Sequence, residues 1–306
     1  MAREMGMARE MPLVDGVEHR YVEANGIRIH VAEAGPADAE PVVMMHGWPQ
    51  HWYEWRRLIG PLSETRRVIC PDLRGLGWTD APPRGYEKEA LTDDLFALLD
   101  ELGVERASLV GHDWGGWVAF LACLREPERF ERFLALNIAP PFARRSARAI
   151  AATWRFWYQL VLASPLGARA AASIGSGAGG TVFRWLGTDA WGERERETFL
   201  GQFREPERAR ASVQYYRTFQ LRELPAMARG RYARERLTVP TKLLYGTDEQ
   251  VIRPAMLEVA DPSAHTLEIE FVPGVGHFIA DEAPELVLDR ARDFFAPASE
   301  RIPASG

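Results

Sequence analysis

Strict alternation of apolar and polar residues marks the first pair of elements. Residues 20–34, RYVEANGIRIHVAEA, alternate on both sides of Asn25-Gly26, which predicts a β-hairpin closed by that dipeptide. Further along, the pattern changes to short, uninterrupted apolar runs. PVVMMHG reads as such a buried strand, and RRVICPDLRG, RASLVGHD, RFLALNIAPP, TVPTKLLYGTDE and TLEIEFVPGVGH read as further strands. Helical spacing lies between them, over roughly 51–63, in EALTDDLFALLDELGV with Gly103 as its stop, and in WGGWVAFLACLREP up to Pro127. A last helix is predicted from about 284 to 296. Strands alternating with helices predict an α/β fold with a mostly parallel central sheet flanked by helices.

From about residue 140 to 235 this rhythm stops. The segment is rich in Ala, Arg, Trp and Tyr, shows helical patterns and offers no strand. It reads as a helical cap inserted over the sheet. The expected organisation is 1–139 as the first part of the α/β core, 140–235 as the cap and 236–306 as the second part. The Gly-rich stretch 172–181 is a candidate mobile lid.

Composition narrows the functional class without choosing it. The 306 residues are 46% hydrophobic and 26% charged, as expected of a soluble globular protein. A net charge of −6 argues against a nucleic-acid partner. The N-terminus mixes charges and lacks a signal-peptide core, and no apolar run reaches about 18 residues, so no membrane span is predicted and a cytoplasmic protein is expected. Cys70 and Cys123 fall in a strand and a helix and read as small buried apolar residues. Lys88 and Lys242 are the only lysines, a bias that fits a GC-rich genome.

The chemistry is carried by loops at the carboxyl ends of the strands, where such sheets place their sites. VGHDWGGW is a small-x-nucleophile-x-small turn with Asp113 at its tip. A strand turning abruptly into a helix strains that residue, and Gly111, Gly115 and Gly116 give the chain room to approach itself. The helix that follows directs its positive end at Asp113. Asp248 follows TKLLYG and His277 follows EIEFVPGVG, giving the order nucleophile, acid, histidine of the α/β-hydrolase triad. Asp248 is the expected partner of His277, with Glu249 and Asn137 as alternatives. HGWP at 46–49 supplies half of an oxyanion hole, formed by the backbone N–H groups of Trp48 and Trp114. Pro49 is a candidate cis proline. His46 and His112 flank the site and shape it, whereas His19, His30, His51 and His265 read as non-catalytic.

A carboxylate at the elbow suits attack on saturated carbon, because the resulting ester is hydrolysable. Serine would leave an alkyl ether that water does not cleave.

HGWPQHWYEWR, DLRGLGWTD, GHDWGG and GVGHFIADEAPE resemble the epoxide hydrolases of the α/β-hydrolase fold, over residues 20–296. The aspartate nucleophile is shared with haloalkane and fluoroacetate dehalogenases. The resemblance implies two cap tyrosines that activate the epoxide oxygen. FWYQLVL and VQYYRTF place these at Tyr158 and Tyr216, with Tyr215 as the alternative to the latter. A fluoroacetate dehalogenase is expected to carry Arg where Trp114 stands. A haloalkane dehalogenase often carries Asn where Trp48 stands. SPLG departs from the Glu-Pro-Gly-like run of many relatives, which bears on cap geometry. Expected pocket residues are His46, Pro49, Trp154, Trp157 and Phe278. Trp154, Trp157, Phe183 and Trp185 suggest a lipophilic, aryl-bearing substrate. The implied reaction turns an epoxide and water into a vicinal diol with no cofactor and no metal, in a monomer or homodimer. Alternatives are a haloalkane-type dehalogenase, a non-catalytic ligand receptor on the same fold, and an esterase side activity.

Overall fold

The computed structural model describes residues 9–144, 146–176 and 188–296. The hairpin at Asn25-Gly26 forms as the alternation predicts, from β1 (Glu18–Ala24) and β2 (Ile27–Ala34). The other expected strands form as β3 (Pro41–Met45), β4 (Arg67–Pro71), β5 (Ala107–His112), β6 (Phe130–Leu136), β7 (Thr241–Gly246) and β8 (Leu267–Val272), the last of them a partly exposed edge strand. They form one sheet in the order β1-β2-β4-β3-β5-β6-β7-β8. β1 and β2 are antiparallel to their neighbours, and the rest of the sheet is parallel. β5 is buried at every residue, which is why its sequence does not alternate.

Helices cover both faces. The ones that matter for the site are α1 (Ile59–Ser63), α2 (Lys88–Glu101) and α3 (Asp113–Arg125). Ten consecutive residues of α3, Trp114 to Cys123, are buried, so this helix runs through the interior rather than along a surface. Both cysteines are buried and unpaired.

Between β6 and β7 the described residues are helical, apart from one isolated bridge of Ala143 to Val259. They include α4 (Ala147–Ala152), α5 (Trp157–Ala163), α6 (Gly167–Gly175), α7 (Glu193–Leu200) and α8 (Pro206–Thr218). A π-helical turn, Phe219–Glu223, leads into α9 (Leu224–Ala228). Phe183, Trp185 and residues 177–181, half of the Gly-rich stretch, lie outside the described residues. After β8 come α10 (Ile279–Glu282) and α11 (Pro284–Phe295). β6 and β7 are parallel neighbours, so the sheet closes beneath the helical segment. No described helix is long and apolar enough to cross a membrane.

Candidate active site

Asp113 is the first residue of α3 and has φ +46°, a left-handed conformation rare outside glycine. Backbone crowding holds it there. A Cβ on Gly115 would come 2.2 Å from the Met45 carbonyl oxygen, and one on Gly47 would come 2.6 Å from the Asp113 Cβ. Only glycine lets β3 and the start of α3 approach this closely. The elbow therefore presents the half-buried Asp113 carboxylate above the sheet. Its Oδ2 accepts a hydrogen bond from the Trp48 backbone N–H at 3.0 Å. Trp114 follows at the helix start, where a backbone N–H has no intrahelical acceptor. The Trp48–Pro49 bond is cis.

The carboxylate on His277 is that of Glu249, not Asp248. His277 Nδ1 lies 2.5 Å from Glu249 Oε2, and the Glu249 side chain is fully buried. Its other oxygen accepts from the backbone N–H of Val251 at 2.5 Å and of Ile252 at 3.3 Å. Asp248 is exposed, and its carboxylate meets the Thr247 hydroxyl. The cause is the turn after β7. The Asp248 N–H still pairs with the Val275 carbonyl, directing that side chain outward, and the next residue swings in. Glu249 also has the extra methylene needed to reach the ring. Burial disfavours a charged His277, but the Glu249 charge and hydrogen bond outweigh it and raise the pKa above 6.5, with a further contribution from Asp113. Asn137, the other alternative acid, has a different task. Its amide donates to the carbonyls of Gly276 and His277 and accepts from Gly246 N–H, fixing the histidine loop to β6 and β7.

A second buried ion pair lies under the elbow and escaped the sequence reading. His112 Nε2 lies 2.9 Å from the His277 carbonyl oxygen, and its Nδ1 lies 2.9 Å from Glu54 Oε1. A carboxylate beside one ring nitrogen and a carbonyl at the other favour the imidazolium. Burial opposes the charge, but Glu54 prevails and the pKa rises to about 9. The other Glu54 oxygen accepts from Gly47 N–H at 3.1 Å. The signals in the sequence were a histidine ending the buried run ASLVGH and a glutamate between the tryptophans and tyrosine of WYEW.

Above Asp113 stand two tyrosines from the helical segment. Tyr158 on α5 and Tyr216 on α8 are buried, their rings 5.8 Å apart, and their hydroxyls hydrogen-bond to one another. Tyr216 packs edge-on against Trp48 at 5.3 Å and Trp114 at 5.8 Å. Burial, reinforced by the Asp113 charge, pushes both hydroxyls well above the usual tyrosine pKa, so both keep their protons. Tyr215 points the other way. Its hydroxyl donates to the Arg74 carbonyl at 2.9 Å and its ring packs on Tyr86.

A family model described as alpha/beta hydrolase fold matches residues 40–284. A soluble epoxide hydrolase of Corynebacterium sp. (strain C12) is 31% identical over 290 residues, which is 92% of this chain and 98% of that protein. The chain belongs to the epoxide hydrolase family of the α/β hydrolase fold. Among solved structures, the epoxide hydrolase CorEH superposes with a TM-score of 0.77 at 32% identity, covering 92% of this chain and 99% of that one. An epoxide hydrolase of Vigna radiata gives a TM-score of 0.77 at 29% identity, covering 92% and 98%.

Not every expected pocket residue of this family member faces the elbow. Trp154 is 62% exposed with the Arg155 guanidinium over its ring, so it lies on the outside of the helical segment. Trp157 is 37% exposed and touches Tyr158 only edge-on. For Trp157 helical spacing explains this, because its neighbour Tyr158 takes the inner face of α5. Phe278 is buried and edge-on to His277 at 5.0 Å. His46 is buried but engaged, its Nδ1 2.9 Å from the Gly47 carbonyl and its Nε2 accepting from Leu73 N–H. Its role is to hold the HGWP loop. The Pro49 carbonyl accepts from Gln202 of the helical segment at 2.7 Å. Among the described residues no cluster of His, Cys, Asp and Glu could hold a metal ion.

Proposed function

We propose that this protein hydrolyses epoxides to vicinal diols through an ester on Asp113. A carboxylate oxygen of Asp113 attacks an epoxide carbon, the carbon–oxygen bond breaks, and the leaving oxygen takes a proton from Tyr158 or Tyr216. A hydroxyl suits this step because it donates, whereas an ionised carboxylate only accepts. His277 then takes a proton from water, whose oxygen attacks the ester carbonyl. The Trp48 and Trp114 N–H groups hold the oxyanion. On collapse the leaving alkoxide regains a proton from His277. The acid left on Asp113 returns its proton to the tyrosinate, and Asp113 keeps one oxygen from water.

Glu249, not Asp248, is the acid of this triad. It fixes the His277 tautomer and stabilises the imidazolium. The charge of Asp113 is one of the causes that raise the His277 pKa, and esterification removes that charge. His277 thereby becomes more readily neutral when a base is needed.

The observation that carries this reading is the buried pair Tyr158 and Tyr216 packed on Trp48 and Trp114, the residues that flank the elbow, together with His277 held by Glu249. A haloalkane needs no such proton donors. The helical segment between β6 and β7 acts in this reading as the cap that brings the tyrosines over the elbow. The substrate is a small lipophilic epoxide.

Single-turnover hydrolysis of styrene oxide in heavy-oxygen water tests it. The label is expected in Asp113, with an unlabelled diol. Label in the first-turnover diol and none in the protein overturns the ester, and halide release without diol from any epoxide selects a dehalogenase. In a His277→Gln variant, peptide mass analysis is expected to find a stable adduct on Asp113.

A further inference from the structure

One of the two lysines in the chain, Lys88, is completely buried. It opens α2, and its backbone N–H donates to Glu223 Oε1 at 2.8 Å. Its ammonium donates to the Tyr215 carbonyl at 2.7 Å and to Glu223 Oε2 at 3.1 Å, with the Tyr86 carbonyl at 3.5 Å. Nζ also lies 4.2 Å from the centroid of the Trp114 ring. One ammonium therefore contacts the carbonyl of the residue before Tyr216 and the indole of the residue after Asp113.

Burying both charges of an ion pair carries a desolvation penalty that an apolar pair of equal volume avoids. Stability alone does not account for this choice, but geometry does. The Tyr215 carbonyl accepts from Lys88, from the Phe219 N–H and from the Thr218 hydroxyl. One turn further on, at Phe219, the helix widens into the π turn that ends at Glu223. These contacts fix the rotation of α8 where it matters. Tyr215 is turned toward Arg74, and Tyr216, about 100° further round the helix, toward Trp48, Trp114 and Tyr158. The charge of Asp113 also reaches Lys88, opposing the fall in its pKa caused by burial.

We propose that Lys88 is a positioning residue for epoxide opening, holding the turn of α8 that aims Tyr216. This rests on the reading that Tyr216 donates to the epoxide oxygen.

A double-mutant cycle tests it, with kcat and KM for diol formation from one epoxide. Lys88→Met is expected to lower kcat about tenfold, the size of a coupling between contacting residues, with KM changed less. In a Tyr216→Phe background the same substitution is expected to lower kcat less than about twofold. Glu223→Gln removes the charge that holds the ammonium and is expected to show a smaller loss, also absorbed by Tyr216→Phe. It carries the cycle alone if Lys88→Met does not fold. Equal fold-losses in both backgrounds, or an unchanged kcat, overturn the role of Lys88 while wild-type diol formation leaves the functional reading standing. A wild type that makes no diol overturns both.

Discussion

At the scale of single residues, the site turns on which of two adjacent carboxylates meets His277. Glu249 is buried on the ring and Asp248 is in solvent. Glu249→Gln is expected to lower kcat by about 10²-fold or more, because the tautomer and the imidazolium lose their support. The same change removes the main cause that raises the His277 pKa. Below its pKa His277 is protonated and cannot act as a base, so the acid limb of the kcat–pH profile is expected to move to lower pH in the variant. Asp248→Asn is expected to change kcat by less than about twofold and to leave the limb in place, as for a surface side chain. The reverse ranking would restore Asp248. Asp113 and His277 were legible in the sequence because an elbow and a Gly-rich loop constrain few positions. The choice between Asp248 and its named alternative Glu249 was not, because the sense of a turn decides between neighbours and the sequence pattern does not encode it. His112 was named only as shaping the site, and its charge comes from a partner, Glu54, 58 positions away in the chain (112 − 54). With a folded pKa of about 9 against the ordinary 6.5, its contribution to stability is complete below 6.5 and fades as pH rises to 9. Urea unfolding at pH 6 and pH 9.5 is expected to show a loss over this range of about 3 kcal/mol in wild type beyond that of His112→Gln. Equal losses would remove the imidazolium.

At the scale of elements, the hydrophobic pattern was sufficient for the sheet and its flanking helices. A strand buried on both faces cannot hide its composition, and β3, β5 and β7 are such strands. What the pattern lacks is the orientation of helices that bury one face. Trp154 and Tyr158 lie four residues apart, and yet one is in solvent and the other over the site. The intervening 3₁₀ turn, Thr153–Phe156, breaks the spacing that would have put them on one stripe. The approach of β3 to α3, by contrast, is legible as glycine. Adding a single methyl at Gly115 drives it into the Met45 carbonyl, and neither backbone can move without shifting the elbow. Gly115→Ala is therefore expected to destabilise the fold by about 3 kcal/mol, read as a lower urea midpoint at unchanged slope. A midpoint equal to wild type would mean that the elbow is looser than this packing implies.

At the scale of the whole molecule, the helical segment leaves the sheet after β6 and returns to it as β7, its direct parallel neighbour. Sequence alone suggested a separate layer, and its contacts with the sheet side are what make one molecule of the two. Trp48 Nε1 donates to the Ser212 hydroxyl at 3.0 Å, and Trp191 Nε1 to Asp281 Oδ2 at 2.8 Å. Gln202 donates to the Pro49 carbonyl and accepts from Gly77 N–H at 2.9 Å. Each of these bonds is buried. Lifting the segment would exchange these bonds for bonds to water, at about 0.5–1.5 kcal/mol apiece, and would expose Trp48, Trp114 and Phe278 to water. Those penalties together are comparable with the whole stability of a typical domain, so the segment has no means of melting first. Urea unfolding followed by tryptophan fluorescence and by far-ultraviolet circular dichroism is accordingly expected to give coincident single transitions. An early loss of helical signal with the fluorescence unchanged would mean that the segment unfolds over an intact sheet. Tyr158 and Tyr216 would then be held over Asp113 only part of the time, and the proton donation proposed for them would be gated rather than fixed.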